Sequence, residues 1–117
     1  MTIEHLKYPI GKFDKPTEIT KDILKKWISD ISTFHKRLLI EVTNLTDEQL
    51  DTPYRPDGWT IRQVIHHCAD SHMNSLTRLK LALTEDQPTI KPYFEERWAE
   101  LADSKNLPIE PSLKMIE

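Results

Sequence analysis

Cysteine and glycine are scarce in this sequence: one cysteine, Cys68, and two glycines, Gly11 and Gly58, occur among 117 residues. A single cysteine excludes an intrachain disulfide, and a reducing cytoplasm is the simplest compartment for such a chain. Asn-Gly pairs, which turn β-hairpins, are absent. The scarcity of glycine therefore argues against an all-β fold.

A basic charge balance and long apolar runs are also lacking. The formal net charge is −3, so the sequence lacks the excess of basic residues that would indicate a nucleic-acid partner. The apolar runs are only a few residues long, which argues against a membrane span, and the first residues carry no apolar segment of a signal peptide. With 38% hydrophobic and 30% charged residues, we expect a cytoplasmic, globular protein in which residues 1–117 form one domain.

Proline divides the sequence into segments that can and cannot be helical. The eight prolines leave residues 17–52 and 57–87 free of proline, and proline breaks helix interiors. The first segment predicts a long amphipathic helix that starts near Thr20, because apolar residues recur there at spacings of three and four. Residues 1–19 are expected to form an irregular N-terminal arm.

Capping signals predict where the next helices begin. Thr46 with Gln49 and Thr60 with Gln63 both match a capping box, so we expect a short helix after the first and a second long helix after the other. A shorter helix is predicted over residues 93–101, and the first turns of another follow Pro111. The sequence thus predicts an all-α fold. Much of each apolar stripe is left uncovered by the predicted helices, so a further part of a bundle or a partner chain must cover it.

The second long helix concentrates the residues that could carry chemistry: His66, His67, Asp70, His72 and Asn74. Residues three, four and seven apart share a helix face, so His67, Asp70 and Asn74 form a polar band beside the apolar stripe. Imidazole is the commonest metal ligand, and an acidic residue one turn away can hold its second nitrogen. A catalytic zinc-type site needs three protein ligands, and this helix offers one or two.

The same residues also have purely structural interpretations. From composition and spacing alone, a structural or surface role for His67 outweighs a ligand role, and His66 is expected at the surface. His72 is expected to be packed and hydrogen-bonded, and Cys68 to be a small buried hydrophobe. Asp70 is compatible with an ordinary solvated helix residue. Taken alone, the pattern predicts a helical domain with one helix that could carry a metal ligand.

Residues 6–11, 51–55, 58–67 and 69–75 closely resemble the YfiT-type metal-dependent hydrolases of the DinB superfamily. The resemblance implies a four-helix bundle with up-down-down-up topology, a homodimer, and a divalent metal, nickel or zinc, bound by three histidines. His67, eight residues after Trp59, matches the first ligand. The other two form a His-x-x-x-His pair on the last long helix, which is absent here. The chain is therefore expected to lack the C-terminal helix and to match the N-terminal two-thirds of such a protein.

The resemblance implies two chemistries for a small-molecule substrate. In the first, the metal lowers the pKa of a bound water, which then hydrolyses the substrate. In the second, found in relatives that resemble bacillithiol S-transferases, the metal deprotonates a low-molecular-weight thiol. Asp70 would be a catalytic residue beside the metal, and Asn74 and Arg78 would line the pocket rim. A hypothesis of another class is a metal-free helical module that dimerises through its uncovered stripe.

Overall fold

A computed structural model describes residues 3–117. The described residues divide into two compact units, one that ends at Thr43 and one that spans residues 44–117. Across residues 3–117 all regular structure is helical, apart from one isolated bridge between Pro53 and Thr60. The prediction of an all-α fold is confirmed. None of the helices in this range is both long and apolar enough to cross a membrane.

The first unit consists of a one-turn helix and a long one. α1 spans Glu4–Lys7 and α2 spans Lys21–Val42. The side chain of Thr20 accepts a hydrogen bond from the Ile23 backbone N–H at 3.2 Å, so α2 begins where the sequence predicts, with its first donors satisfied. The arm was expected to be wholly irregular, and α1 is the exception to that expectation. Phe13 packs on Trp27, with 6.2 Å between the ring centroids.

The second unit is organised around one long helix. Both predicted capping boxes are present, at Thr46 and Thr60. The helix predicted over residues 93–101 is a single turn, and a further short helix that no local signal indicated follows it. The five helices are α3 Asp47–Leu50, α4 Ile61–Thr84, α5 Glu95–Trp98, α6 Ala102–Asn106 and α7 Glu110–Ile116.

The core of the second unit lies along the first half of α4. There α4 packs against α3, α6 and α7. Ile65 is 1% exposed and Ala69 is 3% exposed, and Ile109 and Leu113 from the α7 region are buried with them. Burying an isoleucine side chain contributes about 1.5–3 kcal/mol, so these contacts hold the short helices on α4.

Arg62 joins this core to the surface. Its Nε donates to Asp51 at 2.7 Å, its Nη2 to Asp47 at 3.0 Å and its Nη1 to the Leu107 carbonyl at 3.0 Å. The guanidinium is buried, whereas the Asp47 and Asp51 side chains are 91% and 52% exposed. The nearby carboxylates raise the pKa of Arg62 further, Asp51 most strongly, against the opposing effect of burial. Arg62 thus stays charged and ties α3 to the segment before α7.

Gln63 and His66 complete a set of buried polar side chains that we call the polar clamp: Arg62, Gln63 and His66. Gln63 Nε2 donates to the Ala99 carbonyl at 2.7 Å. His66 lies 3.0 Å from the Leu107 carbonyl through Nε2 and 2.6 Å from Ser112 Oγ through Nδ1. Because a carbonyl only accepts, Nε2 carries the hydrogen and the Ser112 hydroxyl donates to Nδ1 in the neutral ring.

The prediction that His66 lies at the surface is wrong. Its exposed fraction is 7%, because residues 99–112 fold back over the first half of α4. Its partner Ser112 is 46 positions away in the sequence. Helical spacing describes only one helix, so it carries no information on a segment this distant.

Candidate metal centre

The loop before α4 fixes the position of Trp59, which lies at one edge of the candidate site. The backbone N–H of Tyr54 donates to the Trp59 carbonyl at 3.0 Å, and that of Ile61 to the Thr52 carbonyl at 3.1 Å. Gly58 makes this tight turn possible, because a Cβ there would lie 2.6 Å from Arg55 Cγ and 3.1 Å from the Arg55 carbonyl oxygen. These bonds place Trp59 directly beside the N-terminus of α4.

His67 is half-buried two turns into α4, next to Trp59. The centroids of the two rings are 5.0 Å apart and the ring planes are inclined by 54°. Neither ring nitrogen of His67 is hydrogen-bonded within residues 3–117, and no fully buried side-chain nitrogen in that range lacks a partner. Both nitrogens of His67 therefore reach solvent and are free to bind a ligand.

The other two histidines of α4 are committed to hydrogen bonds within the protein. His66 uses both ring nitrogens inside the polar clamp. His72 Nδ1 donates to the Cys68 carbonyl at 2.8 Å, which agrees with the expectation of a packed, hydrogen-bonded residue. Burial raises the pKa of the Cys68 thiol, so Cys68 stays protonated and is a poor metal ligand.

Asp70 lies one turn after His67 and is half-buried. Burial raises the pKa of its carboxyl above the ordinary value, and the negative charge of Asp103 raises it further, while His67 and His66 act in the opposite direction. Its carboxylate has no salt-bridge partner within the described residues. Asn74 donates from Nδ2 to the backbone carbonyl of Asp70 at 2.8 Å. The amide nitrogen of Asn74 is therefore engaged by the backbone of α4.

The segment before α5 lies against the polar band of α4. Arg78 Nη2 donates to the Lys91 carbonyl at 3.3 Å, and the Tyr93 ring packs on Trp98 at 4.5 Å. Burial raises the pKa of Tyr93, with Glu95 and Asp70 adding to the rise and Arg78 opposing it. Tyr93 therefore faces charges on α4, a role that the sequence analysis missed because residues 93 and 70 are related only through the fold.

The ligands available do not make a complete metal site. Within residues 3–117 no group of three histidine, cysteine, aspartate or glutamate side chains is placed to hold a metal ion. A catalytic zinc-type centre takes three protein ligands and leaves one position open. His67 fits as one such ligand, since its nitrogens are free, and this part of the chain does not supply the other two.

Known proteins resemble this chain over most of its length. A protein of Bacillus mycoides strain KBAB4, provisionally named a metal-dependent hydrolase, is 54% identical over 98% of this chain and 66% of its own length. A relative from Bacillus cereus strain AH820 with the same kind of name is 55% identical over 96% of this chain and 64% of its own. The chain therefore spans about two-thirds of the length of these relatives.

A solved structure shows the same fold. YfiT from Bacillus subtilis, described provisionally as a metal-dependent hydrolase with an unusual four-helix bundle topology, matches with a TM-score of 0.91 and 49% identity. The match covers 96% of this chain and 64% of YfiT. The profile of the DinB superfamily matches residues 31–113. The resemblance seen in the sequence is confirmed, and the chain belongs to the DinB superfamily.

Proposed function

We propose that this chain is part of a metal-dependent hydrolase and that His67 is a ligand of its divalent metal, nickel or zinc. The observation that carries the proposal is the difference between neighbouring histidines: His66 uses both ring nitrogens in hydrogen bonds, and within residues 3–117 His67 uses neither. The names of the Bacillus relatives support a metal-dependent hydrolytic activity.

A divalent metal at such a centre supplies a Lewis acid and a bound water of lowered pKa. Because the described residues hold no complete ligand set, we assign no catalytic step through the metal. Asp70 is proposed as the catalytic carboxyl, since it lies one turn from His67 and its carboxylate forms no salt bridge within residues 3–117. Its raised pKa moves it towards the range in which a carboxyl exchanges protons efficiently.

Isothermal titration calorimetry with NiCl₂ and ZnCl₂ tests the ligand role. Because His67 is one of the three protein ligands that such a centre takes, we expect the wild-type chain to bind one of these metals weakly and His67→Ala to lose that binding heat. His5→Ala is the matched control, because it removes an exposed histidine and should leave the titration unchanged. Equal binding by the wild type and His67→Ala would refute the proposed role of His67.

The reaction class needs a separate assay. The metal-loaded protein is offered 4-nitrophenyl esters and amides, with and without a low-molecular-weight thiol, and a chelated sample is the control. The proposal predicts hydrolysis that needs the metal and no thiol. Turnover only when a thiol and an electrophile are both present would replace hydrolysis by S-transfer.

We also propose that the protein acts on a small molecule, forms a homodimer and works in the cytoplasm. The single cysteine supports a reducing compartment. Exposed apolar residues on α2 and α4, such as Ile28 at 64% and Leu83 at 77%, support association. Sedimentation velocity should show a dimer, and a well-folded monomer at micromolar concentration would contradict this part of the proposal.

A further inference from the structure

Arg78 is a half-buried cation without a counter-ion. Its guanidinium makes one hydrogen bond, from Nη2 to the Lys91 carbonyl at 3.3 Å, and no carboxylate of residues 3–117 forms a salt bridge with it. Burying part of a charge without a partner is costly. The guanidinium carries five N–H donors in a planar fork that matches a carboxylate or a phosphate, so most of its binding capacity is available.

Arg78 shares its helix face with His67. Positions 67, 74 and 78 are separated by seven and four residues, which places them on one side of α4. Eleven residues span about 16 Å of helix axis, and a long helical side chain points back towards the N-terminus. From the helix rise and this tilt, the guanidinium is expected at roughly 10 Å from His67, a distance that a small metabolite-sized molecule spans.

The groups around Arg78 restrict where an anion can bind. Asp70 lies between His67 and Arg78 along α4, and its carboxylate repels a negative charge. Burial raises the pKa of the Tyr93 hydroxyl and the charges of Glu95 and Asp70 raise it further, so this hydroxyl lies close to negative charge. An anionic group is thus favoured at the Arg78 end and disfavoured near Asp70.

We propose that Arg78 binds an anionic group of the substrate, a carboxylate or a phosphate, and thereby holds the reacting part of that substrate towards His67. This assignment rests on the proposed function for its catalytic meaning, but anion binding itself requires no metal. The substrate class that follows is a small molecule with its anionic group roughly 10 Å from the bond that is cleaved.

The test is an NMR titration of the ¹⁵N-labelled chain, freed of metal beforehand on a chelating resin, with ionic strength held constant. The probes are sodium phosphate and disodium succinate, with succinamide as the uncharged counterpart of succinate. We expect saturable shifts of the Arg78 Nε–Hε signal and of the Tyr93 amide with at least one anion, and no saturable shift with succinamide. A response to phosphate alone indicates a phosphorylated substrate, and a response to succinate alone indicates a carboxylate.

Three variants separate charge recognition from a structural role. Arg78→Gln keeps a donor for the Lys91 carbonyl but removes the charge, and should weaken anion binding by about tenfold or more. Arg78→Lys keeps the charge and should retain part of the affinity. Arg97→Gln, which removes an exposed guanidinium over the Phe94 ring, is the matched control and should bind as the wild type does.

The proposal is overturned if no anion gives a saturable shift, or if Arg78→Gln binds as tightly as the wild type. His67→Ala should leave the anion titration unchanged, because the chain has been freed of metal before the titration. Loss of metal binding in that variant and loss of anion binding in Arg78→Gln are therefore separate results. Failure of this inference is distinguishable from failure of the proposed function.

Discussion

The two halves of α4 lie in different surroundings. In residues 61–70 five side chains are buried, and they include the whole polar clamp. In residues 71–84 none is buried, and Leu76, Leu79 and Leu83 are 54%, 58% and 77% exposed. The candidate ligand His67 belongs to the enclosed half, whereas Arg78 belongs to the open half.

We propose that the enclosed half holds the metal ligand and that the open half admits the substrate. The enclosed half is fixed by buried hydrogen bonds from Arg62, Gln63 and His66, so the backbone that carries His67 has little freedom. Preorganised ligands lose less free energy on binding. The open half keeps one side of α4 accessible to a small molecule or to another protein surface.

The largest expected effect comes from truncating a buried apolar side chain in the enclosed half of α4. Ile65→Ala removes a side chain that is 1% exposed, and we expect the free energy of unfolding to fall by about 2–4 kcal/mol. Leu83→Ala makes a similar truncation in the open half and should cost less than about 0.5 kcal/mol. Urea denaturation followed by circular dichroism measures both. Equal losses would mean that the two halves do not differ in packing.

The polar clamp should contribute less than the apolar core but more than a surface ion pair. Arg62→Ala leaves the Leu107 carbonyl without this donor and removes two bonds to carboxylates, so we expect a loss of about 2 kcal/mol in the same urea experiment.

Lys26→Ala is the control for Arg62→Ala, since it removes an exposed ion pair with Asp30. Such pairs contribute about 0–1 kcal/mol. If both variants lost the same small amount, the clamp would be no stronger than a surface contact, and the rigidity argued for His67 would fail.

The smallest effect is the pH dependence that Asp70 contributes. Its folded pKa is raised above the ordinary value by burial, so the folded chain holds this proton more tightly than the unfolded chain. Stability from this group therefore falls as the pH rises from the ordinary aspartate pKa through the folded pKa, and it stays low above that value.

Asp70→Asn should consequently raise the free energy of unfolding at pH 7, with an advantage that shrinks as the pH is lowered towards and below the ordinary aspartate value. The measurement is urea denaturation at a series of pH values with chelator present. Asp86→Asn, which removes an exposed carboxylate just after α4, controls for the change in net charge. An advantage that grows on acidification would show that the sign is wrong.

The local features of this fold could be predicted from the sequence. The start of α4 follows from Thr60 and Gln63, and the start of α3 from Thr46 and Gln49, because a capping box involves only residues three apart. The apolar periodicity likewise predicts the long helices. These signals are contained within a few consecutive residues, so no knowledge of the fold is needed to interpret them.

The remote contacts could not be predicted in the same way. The burial of His66 depends on Ser112 and Leu107, and the surroundings of Tyr93 depend on Asp70 and Arg78. Each of these contacts joins segments that are distant in the sequence. Composition and spacing also favoured a structural role for His67; family resemblance singled it out, and the structure adds that its ring nitrogens are free.

The most direct test of the account compares the two adjacent histidines. A long-range ¹H–¹⁵N spectrum of the histidine rings, recorded during titration with ZnCl₂, reports each ring nitrogen separately. We predict that a nitrogen of His67 shifts as zinc binds, while both nitrogens of His66 stay unchanged inside the polar clamp. Zinc-dependent shifts at His66, or no change at His67, would contradict the assignment of the metal ligand.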